Sequence, residues 1–435
     1  MEKEPFTFDE VYDKIIVPHF TELEKLDTRG SNASYSISDV CKSGFAVYSL
    51  KAPSLLAFRP KTEAEIENMK RCFRIDEIAS DNGLRTILDK VNSDELRSIF
   101  PKVISYLKEH GALEPYKVLG DCQLVSIDGV HHYNSKKIKC DCCIERKHRD
   151  GSVSYNHSML SAAIVHPKKR EVFVMDNEPI VQQDGSTKND CEQNAAKRLL
   201  NRLSGLYASE SIVYVLDALY GCAPVIKLIE ESAAQWDYII NCTEKGHPYL
   251  FDQFDQANEA HQVEWNTWRR KDGTYQVGFI NELCLNASNS EVKVNMMIVN
   301  YKSKKEKQIT FSWITSLEIN RQNAMQIVEA ARSRWKIENE VFNTLKNQQY
   351  NFEHSFGHGK KNLATNFAYL MMLAFLVDQI RQFGSRIFIS IWKGLQTKRA
   401  VWEAMRVIFK TMVIENVTDL SHKVLSIYQL RMIRI

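Results

Sequence analysis

The 435-residue sequence predicts an α/β fold. The expected architecture is a mixed sheet flanked by helices, with an all-β insertion and helical regions at both ends. Three observations point there. Strand patterns between Cys122 and Met175 follow one another in hairpin order. From Cys191 to Asn241, strand and helix patterns alternate, as they do where parallel strands need crossovers. Four more strand patterns then lie between Val263 and Trp313 before the helical texture returns. The implied division is 1–115 helical, 116–244 with 313–361 a sheet domain, 245–312 a β insertion, and 362–435 helical.

Phe8 to Leu26 and Thr62 to Ile75 carry helical patterns. Asp81-Asn82-Gly83 reads as a turn, and Leu84 to Val91 and Asp94 to His110 as short amphipathic helices. No clear helix-turn-helix emerges, so this region is either a DNA-binding module or a scaffold. Cys122 to Asp128 alternates and runs into Gly129. Ser152 to His166 and Glu171 to Met175 follow as strands after the Asp150-Gly151 turn. Cys191 to Leu203 is a helix, and Ser211 to Asp217 a β-branched strand of buried character. Pro224 to Glu231 is a helix and Trp236 to Asn241 a strand. The insertion contributes Val263 to Trp268, Thr274 to Phe279, Val292 to Tyr301 and Gln308 to Trp313, with Lys271-Asp272-Gly273 as a turn.

Ala330 to Lys346 contains neither proline nor glycine and predicts one long helix. Helical spacing puts Arg334, Glu338, Val341, Phe342 and Leu345 on one stripe. The apolar members make that stripe the buried face, where a charge needs a partner, a metal or a catalytic task. Glu340 points the other way, toward solvent.

With 44% hydrophobic and 26% charged residues and a net charge of +3, the chain has ordinary globular composition. Any polyanion-binding surface must therefore be local. Basic residues do cluster, at Lys136-Lys137-Ile138-Lys139, Lys168-Lys169-Arg170, Arg269-Arg270-Lys271, Lys302 to Lys307 and Lys360-Lys361. Each alone fits a solvated loop, and their recurrence favours nucleic acid. The acidic start, Met1 to Asp9, lacks a signal-peptide core. Leu363 to Ile380 is broken by Asn366 and Asp378 and suits a buried helix better than a membrane span. Ten cysteines in such a chain suggest thiols. A soluble, cytoplasmic protein without a membrane partner is expected.

Three acids stand out: Asp128 at a strand's end or interruption, Asp217 at the end of a second strand, and Glu338 on the buried stripe. Each alone fits a turn or an ion pair. Together they match the carboxylate set that converges on divalent metals in phosphodiester chemistry. The ordered motifs Ser126-Ile127-Asp128-Gly129, Val215-Leu216-Asp217-Ala218-Leu219-Tyr220 and Arg334-Trp335-Lys336-Ile337-Glu338 resemble the DDE transposases of bacterial insertion sequences. The similar group has a ribonuclease-H-like catalytic domain, a β-strand insertion and a Y-x-x-R-x-x-x-E-x-x-x-x-x-x-K signature. Lys188-Asn189-Asp190-Cys191-Glu192, with the Ala195-Ala196-Lys197-Arg198 helix, and Phe356-Gly357-His358-Gly359 extend the likeness, which covers about residues 75–380.

That resemblance implies a transposase whose Asp128, Asp217 and Glu338 hold Mg²⁺, or Mn²⁺ in its place. It would cut the terminal inverted repeats of its own element and join them to target DNA. A synaptic homodimer is implied, with the helical C-terminal region at its interface. The signature tyrosine falls on Ala331, and the signature lysine on Leu345, one residue before Lys346. Arg334 would contact DNA phosphate, or else pair with Glu338 at i,i+4. Trp265 and Trp268, beside Arg269 and Arg270 in the insertion, either stack on a flipped base or pack against the sheet. A metal-dependent nuclease on the same fold, or a transposase-derived DNA-binding protein, are the competing readings.

Cys140-x-x-Cys143 has zinc-ligand spacing, which His157 or Cys191 would complete; ordinary buried thiols are the alternative. His354-x-x-x-His358, with Lys360-Lys361, reads as a basic DNA-facing loop.

Overall fold

The computed structural model describes residues 4, 6–30, 33–181, 185, 188–232, 236–305 and 307–433, the side chains of 188–190 excepted. Among these residues eleven strands form one sheet. The first five are β1 (Lys117–Val118), β2 (Cys122–Ser135), β3 (Ile144–Lys147), β4 (Val153–Val165) and β5 (Phe173–Ile180). Then come β6 (Ile212–Leu216), β7 (Asp237–Asn241), β8 (Glu264–Arg269), β9 (Gly273–Asn286), β10 (Asn289–Ser303) and β11 (Gln308–Thr315).

β2, β4 and β5 pair antiparallel, whereas β6 and β7 run parallel to β2. The order across this half is β5-β4-β2-β6-β7, a ribonuclease-H-like arrangement. β6 reads I-V-Y-V-L and is buried at every residue, as a parallel strand covered on both faces must be. The helices Lys188–Leu206 and Ala223–Glu230 supply the crossovers before and after it.

The later strands extend the same sheet. β11 pairs antiparallel with β7 through Trp313–Thr315, and β10, β9 and β8 follow in order. Residues 245–312 are not all strand, since the helix Pro248–Glu259 precedes β8 and packs on β9. Its buried Leu250, Phe254 and Ala257 fall at i, i+4 and i+7, a helical spacing that the all-strand reading of the insertion passes over.

At the N-terminus, Asp81-Asn82-Gly83 is the first turn of the helix Asp81–Leu88, not a turn between helices. The Ser80 side chain accepts the Gly83 N–H at 3.2 Å and starts the helix there. One helix, Ile37–Ser49, has no counterpart among the sequence-based expectations. It is buried along nearly its whole length, its polar Asp39, Lys42 and Ser43 included, so its polar stripe faces protein and not solvent.

That helix packs against Leu363–Gly384, and Gly44 makes the close crossing possible. A Cβ at Gly44 would stand 2.6 Å from Leu370 Cδ1. Beside it the buried Lys51 ammonium meets Asp378 at 2.6 Å, and Tyr350 donates its hydroxyl to the same carboxylate at 2.6 Å. Asn68 Nδ2 donates to the carbonyls of Phe409 and Met412 at 2.7 and 2.8 Å. The two terminal helical regions thus form one body. Leu363–Gly384 is long and apolar enough to cross a membrane, but it is buried inside this body.

Candidate active site

The parallel register between β2 and β6 pairs Gln123 with Ile212 and Ser126 with Val215. Carried two residues further, it sets Asp128 level with Asp217 on neighbouring strands, roughly 4.8 Å apart. β6 ends at Leu216, while β2 runs on to Ser135, so Asp128 emerges where its neighbour stops. Asp217 closes β6 as the N-cap of a short 3₁₀ turn, accepting the Ala218 N–H at 2.7 Å. Asp128 accepts the Gly129 N–H at 2.8 Å. Both carboxylates are therefore fixed by local backbone bonds at the carboxyl end of a parallel strand, the usual ligand position in such sheets.

Glu338 comes from the helix expected over Ala330–Lys346, but that helix is not continuous. The helix Ala324–Arg332 ends in a turn at Ser333-Arg334, and the chain then winds as a π-helix over Ile337–Phe342. π turns of this kind are frequent at functional sites. The Ser126 hydroxyl donates to the Arg334 carbonyl at 3.3 Å, tying this segment to β2 two residues before Asp128. Arg334 Nη1 lies 3.4 Å from Asp128 Oδ2, so its partner is Asp128 and not Glu338. An i,i+4 pair needs α winding between its members, which the turn and the π segment interrupt. Arg334 is buried, and its Nε has no partner among the described residues.

Burial, above all, raises the Asp128 carboxyl above the ordinary range. The Gly129 N–H and Arg334 pull it down, and the Asp217 and Glu338 carboxylates push it up again. Both other acids thus act on Asp128. A further carboxylate, Glu192, stands behind them. A Cβ at Gly129 would lie 3.1 Å from Glu192 Oε1, and Tyr220 donates its hydroxyl to that same oxygen at 3.4 Å. Burial raises the Tyr220 phenol well above its usual range, with Glu192, Asp128 and Asp217 adding to it. An oxygen-only donor set with excess negative charge, offset in part by Arg334, suits a hard divalent cation.

The π turn also shifts the phase of the residues downstream of it. It takes one more residue than an α turn, so later positions lag by about 100°. Lys346 then occupies the phase that an unbroken helix would give to position 345. Its ammonium is 3.6 Å from Glu353, while Leu345 is fully buried. Glu340 is half-buried, with Arg170 at 3.9 Å, and not fully solvated.

Trp265 and Trp268 lie on β8, the edge strand farthest along the sheet from the acids' side. Trp265 covers Gly278, where a Cβ would meet its ring at 2.6 Å, and donates its indole N–H to Asn258 at 2.8 Å. Trp268 is half-buried against the core. Arg269 and Arg270 are exposed, with Arg270 3.4 Å from Glu329. Trp335, in contrast, is half-exposed, with the Arg334 guanidinium 5.1 Å from its ring centre. In the sequence its only signal is its place between Arg334 and Lys336 in the motif.

Cys140, Cys143 and His157 do come together, but the fourth member is His358 and not Cys191. Cys191 is buried on the helix Lys188–Leu206, its thiol 3.7 Å from the Gly185 carbonyl. His358 is itself buried, so His354-x-x-x-His358 is not simply an exposed basic loop. The side chains of Lys188, Asn189 and Asp190 lie outside the described residues.

Comparison with known proteins bears on this arrangement. Residues 163–376 match the family model described as Transposase DDE domain, a stretch that includes Asp217, Arg334 and Glu338 and begins after Asp128. No curated protein matches the chain. Among solved structures it is similar to a chain in the cryo-EM structure of a piggyBac transposase synaptic complex with hairpin DNA. Identity there is 11%, over 96% of this chain and 80% of that one, with a TM-score of 0.42. Over residues 163–376, then, the chain is similar to the transposase DDE domain.

Proposed function

We propose that the protein is a DNA transposase of the cytoplasm that binds its element's ends, cleaves them and joins them to target DNA by two-metal-ion phosphoryl transfer. The observation that carries this reading is the level pairing of Asp128 with Asp217 at the carboxyl end of β6, with Glu338 acting on the same carboxylate. Asp128, Asp217 and Glu338 would hold Mg²⁺ or Mn²⁺, which when bound stabilises the attacking and leaving oxygens of a phosphodiester.

The chain's own residues would supply position and charge. Arg334 presents an unpartnered, buried Nε beside Asp128 and can turn its guanidinium to a phosphate oxygen. Trp335 offers an exposed ring to an unstacked base. Lys346, Arg269 and Arg270 contribute exposed cations to a DNA backbone. Two such chains would hold paired ends in a synaptic dimer.

Labelled element ends incubated with Mg²⁺ test the reading, with cleavage and joining scored separately. The wild-type chain should cut and join, whereas Asp128→Asn, Asp217→Asn and Glu338→Gln should bind the ends without cutting. Cleavage that survives all three single changes would sink the proposal. Cleavage without joining would reduce it to a nuclease.

A further inference from the structure

We infer that Cys140, Cys143, His157 and His358 form a structural zinc site, separate from the acid cluster. Their ligand atoms all lie within 4.8 Å of one another. Cys140 Sγ is 3.8 Å from Cys143 Sγ, and His157 Nε2 is 3.1 Å from His358 Nε2. The sulfur–nitrogen separations are 3.3 Å for Cys140–His157, 3.4 Å for Cys143–His157 and 3.3 Å for Cys143–His358. A tetrahedron built on zinc–sulfur and zinc–nitrogen bonds has edges of about 3.8 Å for S···S, about 3.6 Å for S···N and about 3.4 Å for N···N. These five edges agree to within about 0.3 Å, and the sixth, Cys140–His358, is no longer than 4.8 Å. A sulfur separation of 3.8 Å excludes a disulfide.

The surroundings also suit a metal. His358 Nδ1 lies 2.8 Å from the Gly359 carbonyl, which fixes the tautomer and leaves Nε2 to ligate. The Cys143 sulfur accepts the Cys140 N–H at 3.4 Å and the Cys140 carbonyl accepts the Cys143 N–H at 3.1 Å, which holds the C-x-x-C turn closed. Cys143, His157 and His358 are buried, and Cys140 is half-buried, so the site is closed. Four protein ligands and no open position mark a structural centre. Two sulfurs with two imidazoles select zinc over magnesium or calcium.

His358 is held in place from outside the cluster. Gly359 adopts φ +70°, and a Cβ there would stand 2.2 Å from Asp89 Oδ1. That Asp89 carboxylate accepts the backbone N–H groups of Lys360, Lys361, Asn362 and Leu363 at 3.0–3.2 Å. The ion would therefore fasten the loop beyond β2 to the start of the helix Leu363–Gly384. The exposed Lys136, Lys137, Lys139, Arg146, Lys147 and Arg149 ride on the fastened arm.

Elemental analysis of the full chain, purified without metal-affinity steps after growth in zinc, tests the site. About one zinc per chain is expected for wild type, Cys142→Ser, Cys191→Ser and Asp128→Asn, and less than about a tenth for Cys143→Ser and His358→Ala. Cobalt(II) exchanged into the wild-type chain should show thiolate charge-transfer absorption with tetrahedral d–d bands. This readout stands even if a ligand variant fails to fold. A folded wild-type chain with less than about a tenth of a zinc, or one whose zinc depends on Cys191 and not on His358, would overturn the assignment. Neither result depends on strand cleavage, so the two proposals can fail independently.

Discussion

Strand β2 carries Asp128 near its middle and leads past its end to Cys140 and Cys143, so one hairpin serves two clusters of opposite chemistry. The acid cluster is built of oxygens, is partly open and has more negative charge than Arg334 offsets. The cysteine–histidine cluster is built of sulfur and nitrogen, is closed and has four ligands for a tetrahedral ion. A site that must admit substrate keeps room and charge in reserve, whereas one that only braces the chain saturates its metal. The difference in donor atoms would keep each proposed metal out of the other's place.

The largest effect expected is on the open cluster alone. Asp128→Asn, Asp217→Asn or Glu338→Gln should each lower strand cleavage about a thousandfold or more in a gel assay. Their melting temperatures should stay near that of the wild type. The closed cluster should behave the other way. Cys143→Ser or His358→Ala should cost about 3 kcal/mol or more in a denaturant melt. If either group of variants moved both readouts equally, the contrast between the clusters would break down.

Arg334→Lys keeps the charge but loses the planar fork. It should lower cleavage by about tenfold to a hundredfold while leaving the fold intact. The pH dependence sharpens the electrostatic side. Because the folded Asp128 carboxyl lies above its unfolded value, it takes up a proton earlier as the pH falls. Cleavage should therefore fade at a higher pH than an ordinary carboxylate would dictate, and raising the Mg²⁺ concentration should move that limb down. In the metal-free protein the sign is opposite. The folded state holds the extra proton, so Asp128's contribution to stability declines as the pH rises through the folded pKa. Melts of Asp128→Asn and wild type across acidic pH would show this as a difference in slope. The smallest change, Trp335→Ala, should weaken binding of an element end by about tenfold in a gel-shift titration, as loss of one stacking surface does.

Much of the sheet was legible because its strands carry two-residue alternation or unbroken β-branched runs, as in Ser211 to Asp217. The acids were legible for a related reason, since each sits where a regular apolar pattern meets a charge. Three things were not. Ile37–Ser49 buries its Asp39, Lys42 and Ser43 together with its apolar residues, so its pattern does not divide into a core face and a solvent face. The π turn at Glu338 leaves the residue pattern almost unchanged, yet it rotates Lys346 and frees Arg334 to reach Asp128. His358 lies 201 residues from His157, and only the folded chain shows which histidine closes the C-x-x-C set. Glu192 has a faint signal in hindsight, the glycine after Asp128 that leaves room for it.

The pairing of Ile37–Ser49 with Leu363–Gly384 has a consequence for how the protein is made. The first helix leaves the ribosome more than three hundred residues before its partner. At about 5–20 residues per second, the face that Leu363–Gly384 covers waits tens of seconds unpaired. The body they build cannot close until the chain has been synthesised past Gly384. A truncated product would therefore lack a finished scaffold and be exposed to chaperones and proteases, so competence arrives late and all at once.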